Sequence, residues 1–222
     1  MIALLTGPLL WASLAVFVLG LLARTVWYFR GLNWQLDRVA YTAYPTYGLK
    51  GAALSILAWL VPFGARGWRV KPGFTVIFFA FHAALVVVPL FLTGHAMVLG
   101  IDSWWPTLPM NWATGLTIVT LVAAVFVAAR RVALPEVRIL TTAYDWFVFA
   151  LAVVPVLTGF LAVQHVGDYE FWLLAHIISG EICLVLIPFT KLYHVVGFFL
   201  SRIQLGMDFG IKRGGKKKNF AW

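Results

Sequence analysis

Four of the chain's five histidines lie in two apolar segments, His82 and His95 in one and His176 and His194 in the other. A neutral imidazole is the commonest side-chain metal ligand, and an ionisable group inside an apolar run is costly unless it works there. If the two segments cross a membrane in opposite directions, the histidines pair by depth. At a rise of about 1.5 Å per residue, His82 lies ~16 Å past Lys71 and His194 ~12 Å before Arg202, which places both in the inner half. His95 precedes Gly100 by five residues and His176 follows Glu170 by six, so both fall within ~10 Å of the outer boundary. A bis-histidine haem needs two imidazoles at one height on facing helices, and this pattern offers that twice. Beside it stands the plainer reading of core histidines, each bonded to a backbone carbonyl.

Rotation about the helix axes divides the two segments. The 18 residues from His176 to His194 make five turns of an ideal helix, which puts both rings on one face. The 13 residues from His82 to His95 imply a rotation of about 220°, on nearly opposite sides. Pro89 and Gly94 lie between them, and a proline commonly brings a kink or local unwinding.

Those helices must be membrane helices. The 222 residues are 62% hydrophobic and 11% charged, with a mean hydropathy of +0.91, far from the roughly 25% charge of a soluble domain. Runs long enough to cross a hydrocarbon core about 30 Å thick extend over 9–28, 74–99, 112–129, 141–163 and 171–200. The expected fold is an all-α, five-helix transmembrane bundle. A sixth apolar stretch, 52–63, is too short and is flanked by Lys50 and by Arg66, Arg69 and Lys71. It reads as an interfacial or re-entrant helix ended by Pro62 and Gly64. With five spans all 17 Lys and Arg fall on or near one face, so the positive-inside rule puts the N-terminus outside and the C-terminus in the cytoplasm. Residues 1–205 then form the haem-binding membrane domain, with the interfacial segment at about 46–64, and 206–222 a basic cytoplasmic tail.

Several classes are excluded or disfavoured. The first apolar run has no basic n-region and is followed by Arg30 rather than a small-residue cleavage site, so it is expected to remain as a helix. A single cysteine, Cys183, excludes disulfides, iron–sulfur ligation and thioether-linked haem. The net charge of +9 is explained by inner loops and tail, without nucleic acid. Lys212, Arg213, Lys216, Lys217 and Lys218 suit a disordered tail against anionic lipid or a cytoplasmic partner. A secondary transporter would carry more spans and clearer inverted repeats, and a haem-free anchor gives no reason for four depth-matched histidines.

Five spans with the N-terminus outside, paired histidines on helices two and five, and Gly94 directly before His95 resemble the gamma subunit of respiratory nitrate reductase. They equally resemble the related membrane cytochromes b of sulfate-reducing bacteria, which accompany sulfite-reductase-associated, high-molecular-mass and tetrahaem cytochrome complexes. The resemblance implies that His82 with His194 ligates an inner haem b and His95 with His176 an outer one, two haems b in all. Electrons would pass through them between a periplasmic multihaem cytochrome c or menaquinone and a cytoplasmic iron–sulfur subunit, with no bond-making chemistry unless a quinone site exists. In the nitrate reductase relative, quinol is oxidised beside the positions matching Gly94 and His95, assisted by a basic residue after helix two. The matching loop here, 100–111, holds Asp102 and no Lys or Arg. That departure favours a cytochrome donor over the alternative, a quinol-oxidising gamma-type subunit.

Other residues carry weaker expectations. Asp102, Asp168 and Glu170 with Trp104 and Trp105 form either an acidic, aromatic docking surface for a basic cytochrome or part of the interfacial aromatic belt. His165, at the outer mouth, reads as a loop residue. Val88-Pro89-Leu90-Phe91-Leu92-Thr93-Gly94 is echoed by Val154-Pro155-Val156-Leu157-Thr158-Gly159, offset by one residue. Gly159 and Gly180 mark close approach of a helix backbone to a neighbour or a porphyrin. Glu181 is an acid within the bilayer that either carries protons or bonds a hydroxyl such as that of Thr158. Arg24, Arg130, Arg131 and Lys191 either meet inner haem propionates or snorkel to the interface.

Overall fold

In hydrocarbon a chain must satisfy its own backbone hydrogen bonds, which leaves a sequence this apolar with helices. The computed structural model of the chain describes residues 2–32 and 45–212, and these are helical with one isolated bridge. Five helices are long and apolar enough to cross a membrane: α1 (Ile2–Gly31), α4 (Pro72–Phe91), α6 (Met110–Ala133), α8 (Ala143–Val163) and α9, which with its terminal turn spans Tyr169–Phe189. The protein is therefore a multi-pass membrane protein whose outward Leu, Val and Phe side chains meet lipid. Between the spans lie α2 (Pro45–Leu60), α3 (Arg66–Arg69), α5 (Thr93–Leu99) and α7 (Pro135–Arg138), and α10 (His194–Lys212) follows the last.

Two expected spans are interrupted. The second is not one helix over 74–99. It stops at Phe91, passes through Leu92 in an extended conformation (φ −67°, ψ 127°), and restarts as α5. The fifth is not continuous from 171 to 200 either. α9 ends at Leu186, Ile187–Phe189 form a 3-10 turn carrying Pro188, Thr190 is extended (φ −117°, ψ −174°), and α10 begins only at His194. Proline lacks an amide and disfavours helix in the residue before it, so Pro188 is the physical stop. The five-turn argument that set His176 and His194 on one face therefore fails.

The chain divides into two compact units. The first comprises Met1–Phe17 and Ile77–Thr190. In it α8 and α9 form an antiparallel hairpin and α6 packs on α8. Phe81, Ala123 and Ala124 make the core with Ile77, Leu85, Phe149 and Val153. Thr142 caps α8 in a reciprocal box with Asp145, and the Asp168 carboxylate caps α9 by accepting from the Glu170 amide at 2.9 Å. Lipid offers no hydrophobic driving force between spans, so close packing and such hydrogen bonds hold them.

The second unit comprises Val18–Val76 and Lys191–Trp222. Here α2 lies along α10. Gly48, Gly51, Ala52 and Ser55, spaced at helical period, are the buried face of α2. A Cβ on Gly206 would come within 2.4 Å of the Gly51 carbonyl oxygen, so only glycine permits this crossing. The Arg202 guanidinium covers the Trp59 ring at 4.9 Å and that of Arg24 covers Tyr193 at 4.5 Å. The Tyr28 hydroxyl donates to the Gln204 side-chain carbonyl. At 16 residues α2 is longer than expected yet only ~24 Å long, short of a crossing. Its end is tight, because a Cβ on Gly64 would sit 2.6 Å from the Ala58 carbonyl oxygen. α10 continues through Lys212, past the expected start of the tail at 206, whereas Arg213, Lys216, Lys217 and Lys218 lie outside the described residues.

Candidate functional site

The break at Leu92 frees carbonyls that a continuous helix would consume, and each of them is captured. The Val88 carbonyl still receives the Leu92 amide at 2.9 Å. The next, Pro89, accepts from Nδ1 of His95 at 2.9 Å. Leu90 accepts from the Trp105 indole at 2.8 Å, and Phe91 from the Leu108 amide at 2.7 Å. Thr93 Oγ1 donates to the Leu108 carbonyl at 3.5 Å, and the Phe91 and Trp105 rings stack at 5.8 Å. Unsatisfied backbone groups in hydrocarbon cost several kcal/mol each, so the loop 105–108 is what makes the break affordable. Trp105 thereby latches the break through its indole, and the neighbouring Trp104 is 69% exposed.

Opposite stands His176 on α9. Its Nδ1 donates to the Pro155 carbonyl on α8 at 2.8 Å. The ring lies so close to α8 that a Cβ on Gly159 would fall 2.8 Å from Nδ1 and 2.9 Å from Cε1. Gly180, by contrast, has nothing within 4 Å of a built Cβ, so of the two glycines expected to mark close approach only Gly159 does. Gly94 likewise has nothing within 4 Å.

These two seats bring His95 and His176 together. Their ring centroids are 5.8 Å apart and their planes 8° from parallel. Two imidazoles bound in line to one metal through bonds of about 2.0–2.1 Å would have centroids roughly 6 Å apart, and the separation of this pair is comparable. The pair expected at one level in the outer half is thus a geometric pair.

His82 and His194 show the same ring chemistry on a smaller scale. Nδ1 of His82 donates to the Phe78 carbonyl one turn back at 2.8 Å, and its ring lies against Phe78 and Phe81. Nδ1 of His194 donates to the Lys191 carbonyl at 2.9 Å, where α10 begins in the second unit. A carbonyl can only accept, so in each of these four contacts Nδ1 carries a proton and donates it. A metal-ligating histidine anchors its outer nitrogen in this way. The core-histidine reading also predicts carbonyl bonds of this kind. His165 differs: it sits in a turn at φ 52° and stacks on Tyr169.

The remaining expectations resolve individually. The Thr158 hydroxyl is bonded to the Val154 and Pro155 carbonyls and meets Ser179 Oγ at 3.4 Å. It is not paired with Glu181, whose Oε1 is buried without a hydrogen-bond partner among the described residues. Arg24 lies over Tyr193, and the buried Nε of Arg131 has no such partner either. Sequence reasoning named Trp105 without its bond to Leu90 and missed Leu108 and the carbonyls of Pro89 and Pro155. The one available signal was the repeated Pro-Thr-Gly segment.

No family model matches the chain. A curated protein from Nitratidesulfovibrio vulgaris (strain Hildenborough) is 58% identical over 226 residues, covering the whole of both chains. The chain belongs to the same family as that protein.

Proposed function

We propose that this family, and this chain within it, is a membrane cytochrome b subunit that carries electrons across the bacterial cytoplasmic membrane. The observation that carries the reading is the His95–His176 pair, with rings 5.8 Å apart and nearly parallel, each anchored through Nδ1. The donor set suits a haem iron, because two imidazoles in an apolar setting would offer it nitrogen ligands. His82 and His194 form the second ligand set. That pairing rests on the histidine pattern of the family the sequence resembles, since His82 lies in the first unit and His194, at the start of α10, in the second. Haem b bound at these sites would supply reversible one-electron chemistry at two depths of the bilayer.

The chain's own part is to hold and insulate. The carbonyls of Pro89, Pro155, Phe78 and Lys191 fix the rotation of each imidazole and raise the basicity of Nε2. The surrounding Leu, Val and Phe side chains exclude water from the route. The 17 Lys and Arg, on or near one face of the five spans, favour an outer N-terminus and a cytoplasmic C-terminus, with α2 lying at the inner interface. The basic inner segments then suit a cytoplasmic iron–sulfur subunit. Asp102, Glu170 and the exposed Trp104 suit a basic periplasmic multihaem cytochrome c, the donor we favour over menaquinone because loop 100–111 lacks Lys and Arg. This is the arrangement of the nitrate reductase gamma subunit and of the sulfate-reducer membrane cytochromes b that the histidine pattern resembles.

A pyridine haemochrome assay on the purified protein tests this, with His95→Ala and His194→Ala alongside. The expected result is two non-covalent haems b per chain, falling to one in each variant. A wild-type chain without haem would remove the reading.

A further inference from the structure

The Pro-Thr-Gly echo between the second and fourth spans is a sequence feature that the electron-transfer role leaves unused. Its two copies lie on either side of the His95–His176 pair. Pro89 and Pro155, the matching prolines, are the two residues whose carbonyls accept the Nδ1–H groups of His95 and His176, at 2.9 and 2.8 Å. Neither acceptor belongs to the turn immediately before its histidine: the separations are 6 and 21 residues.

We propose that this repeated segment is a duplicated seat for the ligand pair, with Pro155, Gly159 and the Trp105 latch acting as positioning residues for the outer haem; the proposal rests on the cytochrome b reading above. A proline gives up its own amide but keeps its carbonyl, and in each copy the carbonyl is turned to the same use by different means. In the first copy the helix breaks three residues after Pro89, and the Trp105 indole and Leu108 amide occupy the Leu90 and Phe91 carbonyls. That leaves the Pro89 carbonyl to the His95 ring. In the second copy the helix continues through Pro155. Its carbonyl uses its remaining acceptor capacity for the His176 ring at 2.8 Å and the Thr158 hydroxyl at 3.1 Å. Only a glycine at position 159 lets the ring approach, since a Cβ there would overlap it. The proline carbonyl is thus common to both copies, whereas the glycine is a cradle in the second alone.

Anchoring partners of this kind are worth about 10–100-fold in metal affinity. They also make the imidazole a stronger donor, which lowers the reduction potential of the iron it binds. Gly159→Ala should therefore lose one haem of two, the same haem that His176→Ala loses. Gly180→Ala, one turn beyond His176 with open space at its Cβ, should keep both. Trp105→Phe removes the indole donor to Leu90 while keeping the stacked ring. It should retain both haems, with a raised midpoint potential for the His95–His176 haem and an unchanged one for the other.

Haem content and a potentiometric titration of the α-band read all three variants. Two haems at wild-type potentials in Gly159→Ala would overturn the proposal, as would haem loss in Gly180→Ala equal to that in Gly159→Ala, which would mark general packing damage. Unchanged potentials in Trp105→Phe would overturn the latch. Haem-free wild-type protein would instead remove the underlying reading, so the two failures are distinguishable.

Discussion

The four histidines use one hydrogen bond in two ways. His82 and His194 each bond a carbonyl within four residues, supplied by the local helix or turn. His95 and His176 reach carbonyls 6 and 21 residues away, and these exist as acceptors only because α4 breaks, a loop returns to hold the break, and α8 passes against the His176 ring. A local seat forms with its helix and is hard to disturb from a distance. A tertiary seat sets ring orientation more tightly and can be damaged by changes in residues that touch no ligand.

The largest expected effect falls on the tertiary pair itself. His176→Ala should remove one of two haems and leave the other's α-band and potential intact, which spectra of the purified variant would check. Loss of both haems would mean that the two ligand sets are one cooperative site. Next is Gly206→Ala, which drives a Cβ into the Gly51 carbonyl and should cost about 1–3 kcal/mol as overpacking. It should lower Tm in detergent and weaken the haem that depends on His194, while the His95–His176 haem keeps its spectrum. A smaller change is expected from Thr142→Ala, which removes the capping box of α8. It should cost about 1 kcal/mol, seen in the thermal midpoint, with haem content unchanged. Smallest of all is Phe78→Leu: the acceptor for His82 is the backbone of residue 78, so haem content should stay at two per chain. A lost haem there would show that the ring contact, rather than the carbonyl, holds His82.

These differences follow what a linear chain can reveal. The five spans were legible because about 20 apolar residues have few other fates in water or lipid. The match in depth of His95 and His176 was legible because rise per residue is nearly constant even through a kink. Rotation was not, because it accumulates error at every irregular residue. Leu92 broke one span and Pro188 with Thr190 the other, so the ideal-helix angles between His82 and His95 and between His176 and His194 lost their meaning together. Pro188, six residues before His194, was a readable stop signal that the hydrophobic run concealed. The latch made by Trp105 was hidden because nothing local shows that an indole will bond a carbonyl 15 residues back. The Pro-Thr-Gly echo was visible from the start, but its use becomes apparent only when both prolines are seen to face a histidine.

The measurement that bears most directly on the central claim is low-temperature EPR with near-infrared magnetic circular dichroism on the oxidised protein, wild type and His176→Ala. Two low-spin haems with bis-imidazole charge-transfer bands in the wild type, and one remaining in the variant, are what the paired, Nδ1-anchored histidines predict. Absence of haem, or a His176→Ala protein that keeps both bis-imidazole signals, would contradict the assignment of His95 and His176 as an axial pair.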